Sequence, residues 1–144
     1  MNASTPGARA PRVVIVAGEA SGDQLGAALM TALRQQLPGV RFAGIAGPLM
    51  KAAGCESWQD AEELAVMGLF EIIPHLPRLL CIRRRLLRRL RAEPPAVYIG
   101  VDYKEFNLSV ARRLKAAGIR TVQYVSPQVW AWRERRVHRM GAAC

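Results

Sequence analysis

Residues 13–23 have the sequence Val-Val-Ile-Val-Ala-Gly-Glu-Ala-Ser-Gly-Asp. The apolar run from Val13 to Ala17, closed by glycine, is typical of a buried strand in a parallel sheet. The residues from Gly18 to Gly22 then form a tight turn, and Ser21 or Asp23 can cap a following helix by accepting free backbone N–H groups. This arrangement presents backbone N–H groups to an anion or polar ligand. Because it lacks the G-x-G-x-x-G pattern, it is explained equally well as the first turn of an α/β domain.

Strands and helices alternate along the rest of the chain. Apolar residues at three- and four-residue steps predict a helix after the first turn, with a buried face made of Leu25, Ala28, Leu29, Ala32 and Leu33. Further strands are predicted at 40–45, 96–101 and 121–125, and residues 55–60 form a loop or a short strand. The alternation predicts an α/β fold, a Rossmann-like, doubly wound and mainly parallel sheet that binds ligands at the carboxyl ends of its strands.

Two prolines, Pro74 and Pro77, interrupt the helical pattern in the middle of the chain. An interior proline loses a helix hydrogen bond and clashes with the preceding turn. We therefore expect one helical segment at 62–73 and a separate segment from near Pro77 to Arg91.

The composition limits the class of protein and of partner. The chain has 144 residues, with 21 Lys and Arg against 11 Asp and Glu, so its net charge is +10. This excess favours nucleic acid, phosphorylated substrates or anionic lipid headgroups, without choosing among them. Three cysteines without paired spacing indicate a reduced, intracellular protein, and no spacing suggests a metal site. Residues 1–12 are expected to be a flexible lead-in and residues 13–144 one domain, and no apolar run is long enough to predict a transmembrane helix.

Three features lie where a ligand would meet the predicted sheet. Asp102 follows a strand, where it can act as a general base or cap the next helix. Glu19 in the first loop can hydrogen-bond a sugar hydroxyl or simply be exposed. Trp130 and Trp132, beside arginines, can stack on bases or sugars, although such tryptophans more often bury a loop.

An apolar stripe precedes a run of arginines that contains no acidic residue. The apolar residues are Leu69, Ile72, Ile73, Leu76, Leu79 and Leu80. The arginines are Arg78, Arg83, Arg84, Arg85, Arg88, Arg89 and Arg91. Apolar anchors beside a polybasic helix suit a membrane surface, where each arginine contributes about 1 kcal/mol. The residues alone fit equally well with a buried stripe and solvated arginines.

Four segments resemble motifs of the lipid-A-disaccharide synthases, in that family's order and at compatible spacing. They are Ala17 to Asp23, Gly44 to Pro48, Glu63 to Gly68 and Tyr124 to Arg133. The resemblance covers nearly everything from Val13 to about Met140. It implies the N-terminal half of a glycosyltransferase of the GT-B architecture, in which two Rossmann-like halves face a cleft.

The resemblance also implies a reaction. Family members transfer a diacylglucosamine from UDP-2,3-diacylglucosamine to 2,3-diacylglucosamine 1-phosphate, giving the lipid A disaccharide 1-phosphate and UDP. The anomeric configuration inverts, so a base must deprotonate the 6-hydroxyl of the acceptor. No metal or other cofactor and no nucleic-acid partner is expected. Because both substrates carry acyl chains, the implied location is cytoplasmic, peripheral on the inner face of the cytoplasmic membrane.

The family motifs assign roles to residues of this chain. Asp102 matches the aspartate of a Gly-Ile-Asp-x-Pro-Asp-Phe-Asn motif and is the expected general base. The expected substrate-binding residues are Glu19, Ser21, Gly22, Asp23, Asn107, Ser126, Pro127 and Trp130. The expected membrane-docking residues, with a path for acyl chains, are Leu69, Ile72, Ile73, Leu76, Leu79, Leu80, Arg83 and Arg84.

The chain departs from the family in two ways. Tyr103 and Lys104 replace a small residue and a proline, and a lysine there can lower the pKa of Asp102 or contact the acceptor phosphate. The family's C-terminal half, which carries most of the UDP-binding surface and the dimer contacts, has no counterpart here. We therefore expect a truncated or fragmentary acceptor-side form that is inactive alone and forms a homodimer only with that half. The alternatives are a non-catalytic sugar- or nucleotide-binding α/β module and a basic nucleic-acid-binding protein.

Overall fold

The computed structural model describes residues 10–64, 72–102 and 104–124. Besides a helical turn at 61–64, these residues form β1 (Arg12–Val16), α1 (Ala20–Gln36), β2 (Arg41–Ala46), α2 (Pro48–Ala52), β3 (Glu56–Asp60), α3 (Ile72–Ala92), β4 (Val97–Gly100), α4 (Lys104–Ala116) and β5 (Thr121–Gln123). Each predicted strand is present. Residues 55–60, left open between a loop and a strand, contain β3.

The strands form one sheet in the order β3-β2-β1-β4-β5, and every neighbouring pair is parallel. The chain moves outward from β1 to β3 and then returns to place β4 beside β1. At such a reversal the loops after the two adjacent strands leave a crevice at the carboxyl edge of the sheet. The prediction of a Rossmann-like, doubly wound parallel α/β fold is confirmed.

Helices cover both faces of the sheet, and β1 contributes to both cores. Val13 and Ile15 belong to one core, which includes Met30 of α1 and Met50 of α2. Val14 and Val16 belong to the other core, which includes Leu86, Leu90, Val110 and Leu114 of α3 and α4. Because successive side chains of a strand point to opposite faces, a central strand needs an unbroken apolar run.

The helix after the first loop is confirmed, and so is part of its predicted apolar face, since Leu29 and Leu33 are partly buried against the core. The other three predicted residues do not face the core. Leu25 is 39% exposed, and Ala28 and Ala32 are also exposed. The buried residues of α1 are Gly22, Asp23, Gly26 and Met30. A Cβ atom on Gly26 would lie 2.6 Å from the sulfur of Met50, so the missing side chain lets α1 approach α2 closely. Packing through glycine adds nothing to the apolar periodicity of the sequence.

α3 is a continuous helix of 21 residues, so the predicted break near Pro74 and Pro77 is wrong. Pro74 lies in the first turn, where backbone N–H groups have no partner within the helix and a missing N–H is tolerated. Pro77 lies further inside and removes one hydrogen bond. Burial of the apolar side of the helix against the sheet, including Leu79, Ile82 and Leu86, offsets this loss. The earlier part of the predicted segment, residues 65–71, lies outside the described residues.

Candidate active site

The crevice brings together two segments that lie 84 residues apart in the chain. The backbone N–H of Val101 donates a 3.0 Å hydrogen bond to the carbonyl of Val16, which extends the pairing of β1 with β4. Just beyond this pair, the backbone N–H of Gly18 donates to Oδ1 of Asp102 at 2.5 Å. The loop after β1 and the residue after β4 therefore form one surface at the carboxyl edge of the sheet.

The Asp102 carboxyl group has an unusual electrostatic environment. Burial raises the pKa of Asp102 from 3.8 to about 6, against the hydrogen bond from Gly18, which lowers it. The negative charge of Glu19 adds to the rise, and the backbone N–H groups of Glu19 and Gly22 oppose it. Within the described part of the chain, Oδ2 is buried and accepts no hydrogen bond of normal geometry. A carboxylate that is only partly buried and has a raised pKa is suited to accept a proton from a ligand.

These contacts bear on the alternatives for Asp102. The carboxylate is directed to the loop after β1, which favours a reactive role over a cap on the helix that follows it. The side chain of Lys104, which could lower the pKa of Asp102 or contact the acceptor phosphate, lies outside what the structure describes.

Gly22 is the residue that allows the loop to approach the carboxylate. A Cβ atom at this position would lie 1.9 Å from Oδ2 and 2.5 Å from Cγ of Asp102. Any side chain at position 22 would therefore displace the carboxylate or the first turn of α1. The predicted association of Gly22 with the site is supported by this contact, although it is a contact with the expected base and not with a substrate.

Asp23 has a role that differs from both of its predicted roles. Its side chain is buried, and its carboxylate accepts hydrogen bonds from the backbone N–H groups of Gly47 (3.1 Å), Leu49 (2.9 Å) and Met50 (2.9 Å). Asp23 thus caps α2 rather than its own helix, whose N-cap residue is Glu19. With 3% exposure, Asp23 presents no surface to a substrate, and it positions the loop after β1 relative to the loop after β2.

Asn107 is also a positioning residue rather than a substrate-binding one, since its side chain is completely buried. Its Nδ2 donates hydrogen bonds to the carbonyl of Asp102 and, at 3.5 Å, to the carbonyl of Val16. Its Oδ1 accepts a 2.6 Å hydrogen bond from the hydroxyl of Tyr98. Burial raises the pKa of Tyr98 well above its usual value, so this hydroxyl stays protonated and remains a donor. The expectation that Asn107 shapes the site agrees with these contacts.

The other predicted substrate-binding residues fall into two groups. Glu19 and Ser21, which follow β1 at the carboxyl edge of the sheet, are exposed to solvent. Ser126, Pro127 and Trp130 lie outside the described residues, as does Trp132.

The predicted membrane-docking residues do not form one surface. Leu76 and Leu80 are 45% and 38% exposed, but Leu79 is 7% exposed and belongs to the core beneath α3, so its assignment is corrected. Arg83 is half-buried and Arg84 is exposed. Leu69 and the side chains of Ile72 and Ile73 lie outside what the structure describes. Within the described ranges, no helix combines the length and apolarity that crossing a bilayer requires.

Two further residues build the site and were not predicted. Tyr98 holds Asn107, and the only available signal was a hydroxyl-bearing residue inside an otherwise apolar strand. Gly47 lies against Asp23, where a Cβ atom would be 2.5 Å from the carboxylate carbon. Its position in a Gly-Pro pair after β2 indicated only a turn.

A doubly wound parallel sheet with a partly buried carboxylate at its switch point defines a Rossmann-like domain of the kind that makes up GT-B glycosyltransferases. The model of the family described as lipid-A-disaccharide synthetase matches residues 13–144, and the chain belongs to this family. The resemblance inferred from the sequence motifs is thus confirmed.

Individual relatives agree with this assignment. The chain is 56% identical over 140 residues to the lipid-A-disaccharide synthase of Xanthomonas campestris pv. campestris, covering 96% of this chain and 32% of the relative. It is 54% identical over 134 residues to that of Actinobacillus pleuropneumoniae, covering 93% and 34%. It is 57% identical over 130 residues to that of Alkalilimnicola ehrlichii, covering 90% and 34%. The chain therefore spans about a third of the length of the curated relatives it matches.

Proposed function

We propose that residues 13–144 form the acceptor-side Rossmann-like domain of a lipid-A-disaccharide synthase. The complete enzyme would transfer diacylglucosamine from UDP-2,3-diacylglucosamine to 2,3-diacylglucosamine 1-phosphate, releasing UDP. The observation that carries the proposal is the Asp102 carboxylate, which is only partly buried, has a raised pKa and lies at the switch point of the sheet. The family assignment supplies the class of reaction.

In this reaction Asp102 acts as the general base. The Asp102 carboxylate, on a residue that is only partly buried, accepts the proton of the acceptor 6-hydroxyl as the hydroxyl oxygen forms a bond to the anomeric carbon of the donor. The bond from that carbon to UDP breaks on the opposite face, so the configuration inverts and UDP takes the electron pair. With a pKa of about 6, the carboxylate is mostly ionised at neutral pH and is more basic than an ordinary aspartate, which suits proton abstraction.

The residues around Asp102 divide into those that touch the substrate and those that position the base. Glu19 and Ser21 are exposed beside the crevice and are assigned to substrate binding, together with Ser126, Pro127 and Trp130 on the strength of the family motif. Gly22 admits the carboxylate, while Asp23 and Asn107 fix the two loops.

A chimera tests the proposal. Residues 13–144 would be joined to the remaining two thirds of the Xanthomonas campestris relative, which is 56% identical in the shared part. We expect disaccharide formation by the chimera, none by the 144-residue chain alone, and a loss of at least about 100-fold in kcat on Asp102→Asn. The matched control is Glu93→Gln, an exposed carboxylate-to-amide change at the amino edge of the sheet, where Glu93 pairs with Arg12.

Two outcomes would refute parts of this assignment. A folded chimera that forms no disaccharide would contradict the proposed reaction. An Asp102→Asn chimera within about tenfold of the unsubstituted one would exclude this residue as the base, because general-base catalysis contributes roughly 10²–10⁴-fold.

We also propose that the protein docks peripherally on the inner face of the cytoplasmic membrane through the exposed part of α3. Leu76 and Leu80 lie four residues apart and are exposed, and Arg84 follows at the same spacing. Flotation with phosphatidylglycerol vesicles at low salt tests this. We expect Leu76→Ser with Leu80→Ser to abolish flotation, and Leu37→Ser with Leu49→Ser, a matched pair of exposed leucines elsewhere, to preserve it. Equal flotation of both variants would contradict docking through α3.

Dimer formation is proposed only for the longer enzyme, through the region that follows this chain in its relatives. Sedimentation of the chimera and of the 144-residue chain tests this point. We expect a dimer for the chimera and a monomer for the shorter chain.

A further inference from the structure

A groove of about 570 Å³ lies between α3 and α4 and is lined largely by cations. Five arginines contribute to it: Arg83, Arg84, Arg88, Arg91 and Arg113. The groove is separate from the candidate active site. Arg113 lies in the last turn of α4, nine residues or about 13 Å along the helix from Lys104, which is next to the carboxyl edge of the sheet. The arginines therefore lie along the flank of the domain.

Two of these arginines converge on one neutral side chain. The guanidinium of Arg83 donates a 2.6 Å hydrogen bond to the hydroxyl of Ser109. The guanidinium of Arg113 donates to the same hydroxyl and to the carbonyl of Ser109, both at 3.2 Å. Ser109 thus holds two cations close together, and both of these arginines line the groove.

No carboxylate in the described part of the chain pairs with any of the five arginines. The ion pairs present there join Arg12 to Glu93, Lys51 to Asp60 and Arg78 to Glu63. Burial, together with the charges of Arg113 and Arg84, lowers the pKa of Arg83, although a guanidinium remains charged at neutral pH. Mutual repulsion in a concave surface favours an anion as occupant.

The shape and the neighbours of the groove indicate the class of anion. Arginine guanidinium groups bind phosphate oxygens through paired N–H donors, and several together can surround one phosphate. Leu80 and Leu87 also line the groove, and Leu80 continues toward Leu76 on the exposed side of α3. A phosphate site that adjoins exposed leucines matches an amphiphile better than a free anion.

We propose that this groove binds the phosphate headgroup of an anionic glycerophospholipid, with an acyl chain lying along Leu80 and Leu76. The proposal rests on the membrane association proposed above and not on the transferase reaction. It differs from simple docking because it assigns one lipid headgroup to a defined set of arginines on α3 and α4.

Titration of the 144-residue chain with dihexanoyl-phosphatidylglycerol, below its micelle concentration, tests the proposal without a membrane. If each arginine contributes about 1 kcal/mol, its loss weakens binding about fivefold. The double variant Arg83→Gln with Arg113→Gln should therefore weaken binding by about 25-fold. Arg84→Gln with Arg88→Gln, two exposed positions where misfolding is not expected, should do the same. Arg85→Gln with Arg112→Gln removes the same charge from the same helices outside the groove and should change binding by less than about threefold.

Three results would overturn the proposal. The first is an equal loss in the groove and control variants, which would mean a general effect of charge. The second is binding of sn-glycerol 3-phosphate as tight as that of the lipid, which would mean a free-phosphate site. The third is displacement of the lipid by a short oligonucleotide at lower concentration, which would mean a nucleic-acid surface. If the protein bound the short-chain lipid but did not float with vesicles, the proposed membrane docking would be contradicted. The proposed lipid-headgroup site in the groove would still be supported.

Discussion

Replacing Asp102 by asparagine should stabilise the domain at neutral pH. The substitution keeps an oxygen that can accept the hydrogen bond from Gly18 and removes a charge that is partly buried. Burial raises the pKa of Asp102 from 3.8 to about 6, so the folded protein holds a proton that the unfolded chain has released between these values. By linkage, the free energy of unfolding of the unsubstituted protein falls as pH rises through this window.

The size of the effect follows from the shift. About two pKa units correspond to about 3 kcal/mol at most, and partial exposure of the carboxyl group reduces this to about 1–2 kcal/mol. Asp102→Asn should therefore be more stable than the unsubstituted chain by about 1–2 kcal/mol at pH 7 and nearly equal to it at pH 4. For a domain of this size, the gain corresponds to about 3–6 °C in Tm.

Urea unfolding of the 144-residue chain and its Asp102→Asn variant, measured from pH 4 to pH 8, provides the test. Glu93→Gln is the control. Because Glu93 forms an exposed ion pair with Arg12, its loss should change the free energy of unfolding by no more than about 1 kcal/mol. It should not make the protein progressively more stable than the unsubstituted chain between pH 4 and pH 6. An Asp102→Asn variant that is less stable at pH 7, or whose gain is the same at pH 4 and pH 7, would falsify the assignment of a destabilised carboxylate.

Three other substitutions test the contacts that hold the site. Gly22→Ala places a Cβ atom 1.9 Å from the Asp102 carboxylate and should lower the free energy of unfolding by about 1–3 kcal/mol, with loss of the pH dependence between pH 4 and 6; unchanged urea unfolding would contradict the close approach. Asp23→Ala leaves three backbone N–H groups without acceptors and should cost about 2–4 kcal/mol, with faster hydrogen exchange at Leu49 and Met50; unchanged exchange there would refute the cap. Tyr98→Phe should cost about 1–2 kcal/mol and lower kcat of the chimera with little change in KM; an unchanged kcat would mean that Tyr98 is structural only.

The fold was predictable because its central strand, β1, contains an uninterrupted run of apolar residues in the sequence. β1 lies between two strands and two layers of helices, so it needs an apolar residue at each of its buried positions, Val13 to Val16, and this run is visible without any tertiary information. The face of α1 was predictable only in part. Leu29 and Leu33 pack on the core as their spacing indicates, but the most buried part of the helix includes Gly22 and Gly26, which have no side chain to form an apolar pattern. The continuity of α3 depends on Pro74 lying in a first turn, and a first turn is defined only once the helix start is known.

The site was predictable in its residue types but not in their contacts. Asp102 was singled out because it follows a strand, yet its partner Gly18 lies 84 residues away. Leu76 and Leu79 look alike in the sequence, but the three-residue step between them turns one to solvent and the other to the core. Likewise, an aspartate in the first turn of a helix can reach its own backbone or a neighbouring helix, and only the packing of α1 on α2 decides this for Asp23.

The two aspartates beside the loop after β1 differ in how completely their carboxylates are hydrogen-bonded. Asp23 is buried with three backbone N–H donors, so its charge is fully used in holding α2 against α1. Asp102 lies on the other side of the loop, where Gly18 donates a hydrogen bond to Oδ1 and Oδ2 has no partner of normal geometry among the described residues. The glycines differ in the same way, since Gly47 lies against the satisfied carboxylate and Gly22 against the unsatisfied one. A sequence selected only for stability would satisfy both carboxylates, and local violations of this kind concentrate at functional sites. Among the described residues Trp58, Glu63 and Thr121 also bury a side-chain atom without a partner, so incomplete hydrogen bonding alone does not single out Asp102. Its place at the switch point of the sheet does, and an incompletely bonded carboxylate there is what the proposed role of general base would require.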